Sequence, residues 1–158
     1  MRQAQKENIE ISKHENSLEI PFHLLLLADP SKAAIDKYIH ESTIYVAAVE
    51  QTIVGVLVLY PVSEQVIEIK NIAVDENYQR RGIGKQMLQK AVSTAIDNKY
   101  ETIIIGTGNS SIHQLFLYQQ QGFELYDIRF NFFTDNYPEP IFEDGIQCRH
   151  MLMLRMNL

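Results

Sequence analysis

Between residues 44 and 74 the chain reads as three runs of β-branched and apolar residues broken by short polar turns. Ile44 to Val49 and Ile53 to Tyr60 are separated only by Glu50-Gln51-Thr52, which predicts a hairpin, and Val66 to Val74 follows as a third strand. Then the period changes. Ile83, Met87, Leu88, Ala91, Val92, Ala95 and Ile96 recur at helical spacing and predict a long amphipathic helix over 82–98. Thr102 to Ile105 reads as a short buried strand. Upstream, Ile9 to Ser12 predicts a first strand, and Pro21 to Ala28 and Ser31 to His40 predict two helices. Pro21 can begin the first, Asp29-Pro30 ends it, and Ser31 can cap the second. Downstream, Ser110 or Ser111 can cap a helix running to about Gln121, where Gly122 stops it. Leu125 to Phe133 and Gln147 to Met156 read as closing strands around a loop that contains proline and acidic residues.

The strand at 66–74, the helix at 82–98 and the strand at 102–105 make one βαβ unit, so those two strands are expected to be parallel with a right-handed crossover. The strands before it are expected to pair antiparallel. The layer plan is α/β: one domain over 1–158 with a mixed, mostly antiparallel sheet, a central parallel unit and helices on both faces. Hydrophobic residues make up 46% and charged residues 22%, ordinary globular usage. A net charge of -6 disfavours a general nucleic-acid binder. A single cysteine, Cys148, leaves no internal disulfide and fits a reducing cytoplasm. Met1 to Lys6 is polar and leads into no apolar signal core, and the longest apolar run, Ile53 to Val62, is too short to span a bilayer.

The chemistry concentrates at Gln79-Arg80-Arg81-Gly82-Ile83-Gly84, between a strand and a helix. The first N–H groups of a helix have no internal partner, and the dipole there is positive. Gly82 and Gly84 leave room for an anion, and Arg80, Arg81 and Lys85 add positive charge beside it. A diphosphate-bearing cofactor is the expected ligand. The Walker pattern is absent, and Met87 occupies the third glycine position of the dinucleotide pattern.

Gln79-x-x-Gly82-x-Gly84 resembles the loop with which GCN5-related N-acetyltransferases (GNAT) bind the pyrophosphate of coenzyme A. The order of elements matches that family along nearly the whole chain. The resemblance implies the acyl-CoA N-acyltransferase fold, acetyl-CoA as co-substrate, and acetyl transfer to a primary amine. It implies that the strand ending Ile72-Ala73-Val74 splays from its parallel neighbour and pairs with the pantetheine arm, the Ile72 N–H stabilising the oxyanion. Leu117-Tyr118-Gln119-Gln120-Gln121-Gly122-Phe123 resembles the family signature in which the tyrosine protonates the leaving thiolate. The helical spacing of Ile112, Leu115 and Phe116 puts Tyr118 at the edge of an apolar face. Glu68 matches a position where some members carry a general base; the other reading is a strand carboxylate paired with Lys70. Where many members carry an asparagine seven residues before the tyrosine, this chain has Ser111, and Asn109 lies two residues earlier. The cofactor contact can shift to Asn109, fall to Ser111, or be lost.

Gly106-Thr107-Gly108-Asn109-Ser110-Ser111 mimics a dinucleotide fingerprint, with Ser111 in place of the third glycine. It keeps open a nucleotide binder that takes NAD, besides an acyl-CoA-binding module without chemistry. The segment from Asp135 to Gly145 carries four carboxylates that can attract a small cationic amine, or simply solvate a hairpin loop. His23, His113 and His150 lack metal-ligand spacing. Family members are commonly dimers, and Met151-Leu152-Met153-Leu154 reads either as a contribution to a homodimer or as core.

Overall fold

The computed structural model describes residues 7–16 and 18–158, so the polar stretch 1–6 lies outside the described residues. The strands are β1 (Ile9–Lys13), β2 (Thr43–Val49), β3 (Thr52–Pro61), β4 (Val66–Val74), β5 (Thr102–Gly108), β6 (Glu124–Arg129), β7 (Ile141–Glu143), β8 (Ile146–Cys148) and β9 (Met151–Asn157). The helices are α1 (Phe22–Ala28), α2 (Lys32–Asp36), α3 (Ile83–Asp97), α4 (Ile112–Gln120) and α5 (Phe132–Asn136). Among the described residues seven strands form one sheet in the order β1-β2-β3-β4-β5-β9-β6, and β7 and β8 form a separate hairpin. Only β4 and β5 are parallel; the other pairs are antiparallel, as the βαβ reading requires.

Two apolar layers hold the sheet. On one face Ile83, Met87, Leu88, Ala91 and Ala95 of α3 and Tyr118 of α4 pack on Leu57, Leu59, Ile67, Ile69 and Ile103. On the other, Leu24 and Leu25 of α1 and Ile35 of α2 pack on Val56, Val58 and Ala73. Gly55 lets α3 approach the sheet: a Cβ there would stand 3.1 Å from Ala47 Cβ and 3.2 Å from Met87. Ser31 caps α2 as expected, its hydroxyl accepting the Ala34 N–H at 3.1 Å. Among the described residues no helix is long and apolar enough to cross a membrane.

Four expectations change. The helix read over 31–40 ends at Asp36 and resumes as a 3-10 turn, Ile39–Glu41. The strand read to Phe133 stops at Arg129, because Asn131 adopts φ 57° and starts α5. The strand read over 147–156 is two strands, broken where the Arg149 and His150 N–H groups leave the ladder to bond Asn109 Oδ1 at 2.7 and 2.9 Å. On α4, Ile112 and Phe116 face solvent, and Tyr118 is the buried residue. Strand β9 lies inside the sheet with Met153 and Leu154 fully buried, so that segment is core.

Candidate active site

Parallel pairing between β4 and β5 covers only Val66–Thr102 through Ile69–Ile105. Beyond it β4 continues on β3 as far as Val74, and β5 continues on β9 as far as Gly108. The two strands therefore part, and among the described residues Ile72, Ala73 and Val74 have no strand partner on the β5 side. A Cβ at Gly106 would meet the sulfurs of Met151 and Met153 at 2.7 and 2.9 Å, so glycine lets β9 close up on β5. Gly106 and Gly108 are thus packing glycines inside a strand, which removes the dinucleotide-like reading of 106–111.

A β-bulge sits beside the opening. The β3–β4 register slips between Val58 and Leu59, leaving Lys70 as the extra residue. The slip reverses the alternation. Ile67, Ile69, Ile72 and Val74 all face α3, while Glu68, Asn71 and Ala73 face α1. One extra residue thereby puts Glu68 and Asn71 on the same face of the sheet, beside the opening.

Below the opening β4 runs into the glycine loop. Arg80 has φ 62°, and Gly82, the residue before α3, has φ 82°. The helical ladder starts with Gln86 N–H donating to the Gly82 carbonyl at 3.1 Å, and among the described residues no N–H from Gln79 to Lys85 makes a backbone bond. That run of free donors at a helix N-terminus is an anion site in waiting. Buried Ile83 anchors the helix start, and the Gln79 amide ties the loop to the Val74 carbonyl at 3.2 Å. The Arg81 guanidinium is committed elsewhere, to Glu7, to the Asn77 carbonyl at 2.9 Å and to the Tyr78 ring at 4.9 Å. Arg80 and Lys85 are exposed and make no ion pair among the described residues. Gly84 sits against α4, where a Cβ would lie 3.7 Å from Leu117.

Tyr118 is 5% exposed, with its ring 6.4 Å from that of Phe123. Burial alone pushes its phenol far above the usual tyrosine range, so it holds its proton. Glu68 is also buried, with Lys70 Nζ 3.5 Å from its carboxylate. That lysine sits between the rings of Tyr38 and Tyr60, 5.7 and 6.0 Å from their centroids.

Asn109 behaves differently from its expected role. Its amide donates to the Gln147 carbonyl at 3.1 Å, and its carbonyl oxygen holds the N–H groups of Arg149 and His150. These bonds pin the β7–β8 hairpin to the end of β5. Ser111 does not cap α4; with Ser110 it donates to Glu143, at 2.9 and 3.1 Å. Cys148 is buried beside Ser110, and burial pushes its thiol up.

The α1 face of the sheet also holds groups that sequence reading passed over. Asn71 Nδ2 donates to the Leu25 carbonyl at 3.0 Å and to the Tyr38 hydroxyl at 3.2 Å. Burial pushes the Tyr38 phenol up to about 12, the Asn71 bond opposing it and the charges of Asp29 and Glu68 adding to it. The Tyr137 hydroxyl donates to Asp29 at 2.9 Å, which ties α5 to the end of α1. A polar Asn71 within an apolar strand was the signal available in the sequence.

Residues 11–123 match the model of the acetyltransferase (GNAT) family. The chain is 47% identical over 154 residues to the Bacillus subtilis (strain 168) protein named uncharacterized N-acetyltransferase YvbK, covering 98% of each. A GNAT family acetyltransferase from Elizabethkingia anophelis, solved with acetyl-CoA bound, is 51% identical with a TM-score of 0.94, covering 96% of this chain and 99% of that one. A Bacillus subtilis acetyltransferase solved with CoA is 45% identical with a TM-score of 0.90, at the same coverage.

Proposed function

The chain belongs to the acetyltransferase (GNAT) family, with acetyl-CoA as its co-substrate, and on that premise we propose that it acetylates a small cationic amine by direct attack. The observation that carries this reading is the pairing of two features: strands that part after Ile69, and free N–H groups from Gln79 to Lys85 directly below. In this reading the diphosphate rests on those N–H groups with Arg80 and Lys85 beside it, and the pantetheine lies along Ile72, Ala73 and Val74. The amine nitrogen attacks the thioester carbonyl, forming C–N as C–S breaks. Glu68 takes the amine proton, directly or through water, the Ile72 N–H holds the oxyanion, and Tyr118 gives its proton to the departing thiolate. Exposed Asp135, Glu139 and Asp144 support a cationic acceptor, Glu143 being turned to the two serines.

Titration calorimetry with acetyl-CoA, with NAD as control, followed by an amine screen read by thiol release, tests the proposal. Binding of acetyl-CoA alone, with turnover of cationic amines, is expected; acetyl-CoA binding without turnover of any amine overturns it. The Glu68–Lys70 ion pair favours a second reading, a coenzyme-binding module without chemistry, and that same negative screen would support it.

For a homodimer one sheet edge on offer is β6, whose residues are all exposed and whose ladder on β9 bulges at Tyr126; β1 is the other edge. Antiparallel pairing of two copies about its centre sets Glu124 against Arg129 and Leu125 against Ile128, complementary in charge and polarity. Light scattering at the monomer mass of 18.3 kDa would remove it.

A further inference from the structure

Asn71 lies on the sheet face that α1 covers, and its orientation is fixed by chemistry. The Leu25 carbonyl can only accept, so the atom 3.0 Å from it must be the amide nitrogen. The same nitrogen is 3.2 Å from the Tyr38 hydroxyl, which therefore receives a hydrogen bond from Asn71. The amide carbonyl oxygen is left buried with no partner among the described residues. An orphaned buried acceptor disfavours folding, and a leucine here would avoid it. What the asparagine secures is the polarity of Tyr38: with its oxygen already receiving a bond, the phenol must direct its own proton elsewhere. That proton has no protein acceptor among the described residues.

The charges of Asp29 and Glu68 act on the phenol, and Lys70 lies over its ring at 5.7 Å. Two carboxylates disfavour an anionic group in this space, so a neutral oxygen is the acceptor that fits.

We infer that Tyr38, oriented by Asn71, is a specificity-determining hydrogen-bond donor for the amine acceptor, selecting primary amines that carry a neutral amide or hydroxyl oxygen a few bonds from the reacting nitrogen. This rests on the proposed function, since it takes the face bearing Glu68 and Asn71 as the acceptor side of the cleft. Tyr38 donates to that oxygen while the amine faces Glu68, so the acceptor is held at two points.

The test compares glycinamide with propylamine as acceptors for the wild type, Tyr38→Phe and Asn71→Asp, with KM determined for each amine and for acetyl-CoA. Tyr38→Phe keeps the ring and is expected to raise KM for glycinamide about tenfold. Propylamine and acetyl-CoA are expected to keep their KM within about twofold, so each amine serves as the other's control. Asn71→Asp draws the phenol proton to the new carboxylate, and the same selective loss is expected with the hydroxyl still present. Should Asn71→Asp fail to fold, Tyr38→Phe decides alone. Equal effects on both amines, or none on either, overturn this inference and leave the acetyl transfer standing. Acetylation of neither amine by the wild type overturns it as well, and the failure of a full amine screen would take the proposed function too.

Discussion

Tyr118 keeps its phenol proton because burial raises the pKa, so its protonated form persists to higher pH than an exposed tyrosine would allow. Tyr118→Phe is expected to lower kcat about a hundredfold, as loss of a general acid does, with acetyl-CoA affinity within about twofold. The sign of the pKa shift adds a check. The proton is present across the whole working range, so any alkaline fall in wild-type activity belongs to another group, and the variant's pH profile should keep the same shape. Unchanged kcat would remove Tyr118 from the chemistry. At this scale the sequence singles out Tyr118, Glu68 and the loop glycines as candidates, because motif and spacing carry them. The partners of Asn109 and Asn71 stayed hidden: they lie 38–41 and 33–46 positions away, at Gln147 to His150 and at Leu25 and Tyr38.

Among the elements, the loop from Gln79 to Gly84 depends on a left-handed residue at its end. Gly82 has φ 82° with nothing within 4 Å of where a Cβ would stand, so a side chain there fits spatially and pays only backbone strain of about 1–2 kcal/mol. Gly82→Glu therefore leaves the fold in place while setting a carboxylate beside the free N–H groups. Calorimetry should show acetyl-CoA binding lost with the circular dichroism retained; normal binding would displace the cofactor from this loop. The strands and α3 were legible because their periodicity records burial. The end of β6, the start of α5 and the β8–β9 break were not. Those boundaries are set by Asn131 at positive φ and by Asn109 capturing two N–H groups from across the chain, and neither leaves a trace in local periodicity.

For the whole molecule, acetyl-CoA is a ligand of the folded state alone and should raise the melting temperature. At a hundred times its dissociation constant the linkage is about 2.7 kcal/mol. For a chain of this size that corresponds to about 5–10 °C. Scanning calorimetry with acetyl-CoA should show the rise and NAD should not; equal responses to both would contradict coenzyme selectivity. The mixed sheet, the single parallel pair and the helices on both faces follow from the order of elements and were expected. The bulge at Lys70 was not, because one extra residue in a nine-residue apolar strand leaves the pattern readable either way.

The parting of β4 from β5 exposes main chain, and main chain is the same whatever side chain hangs from it. If the coenzyme arm is read there, the interior of the recognition surface carries no sequence code of its own. Ile72 and Val74 owe their identity to α3 behind them, so drift at those two positions should follow the core rather than the ligand. Proline alone would register as an injury to binding, since it alone deletes the donor. A lineage could then change what its members acetylate while the grip on the coenzyme persisted almost untouched by mutation.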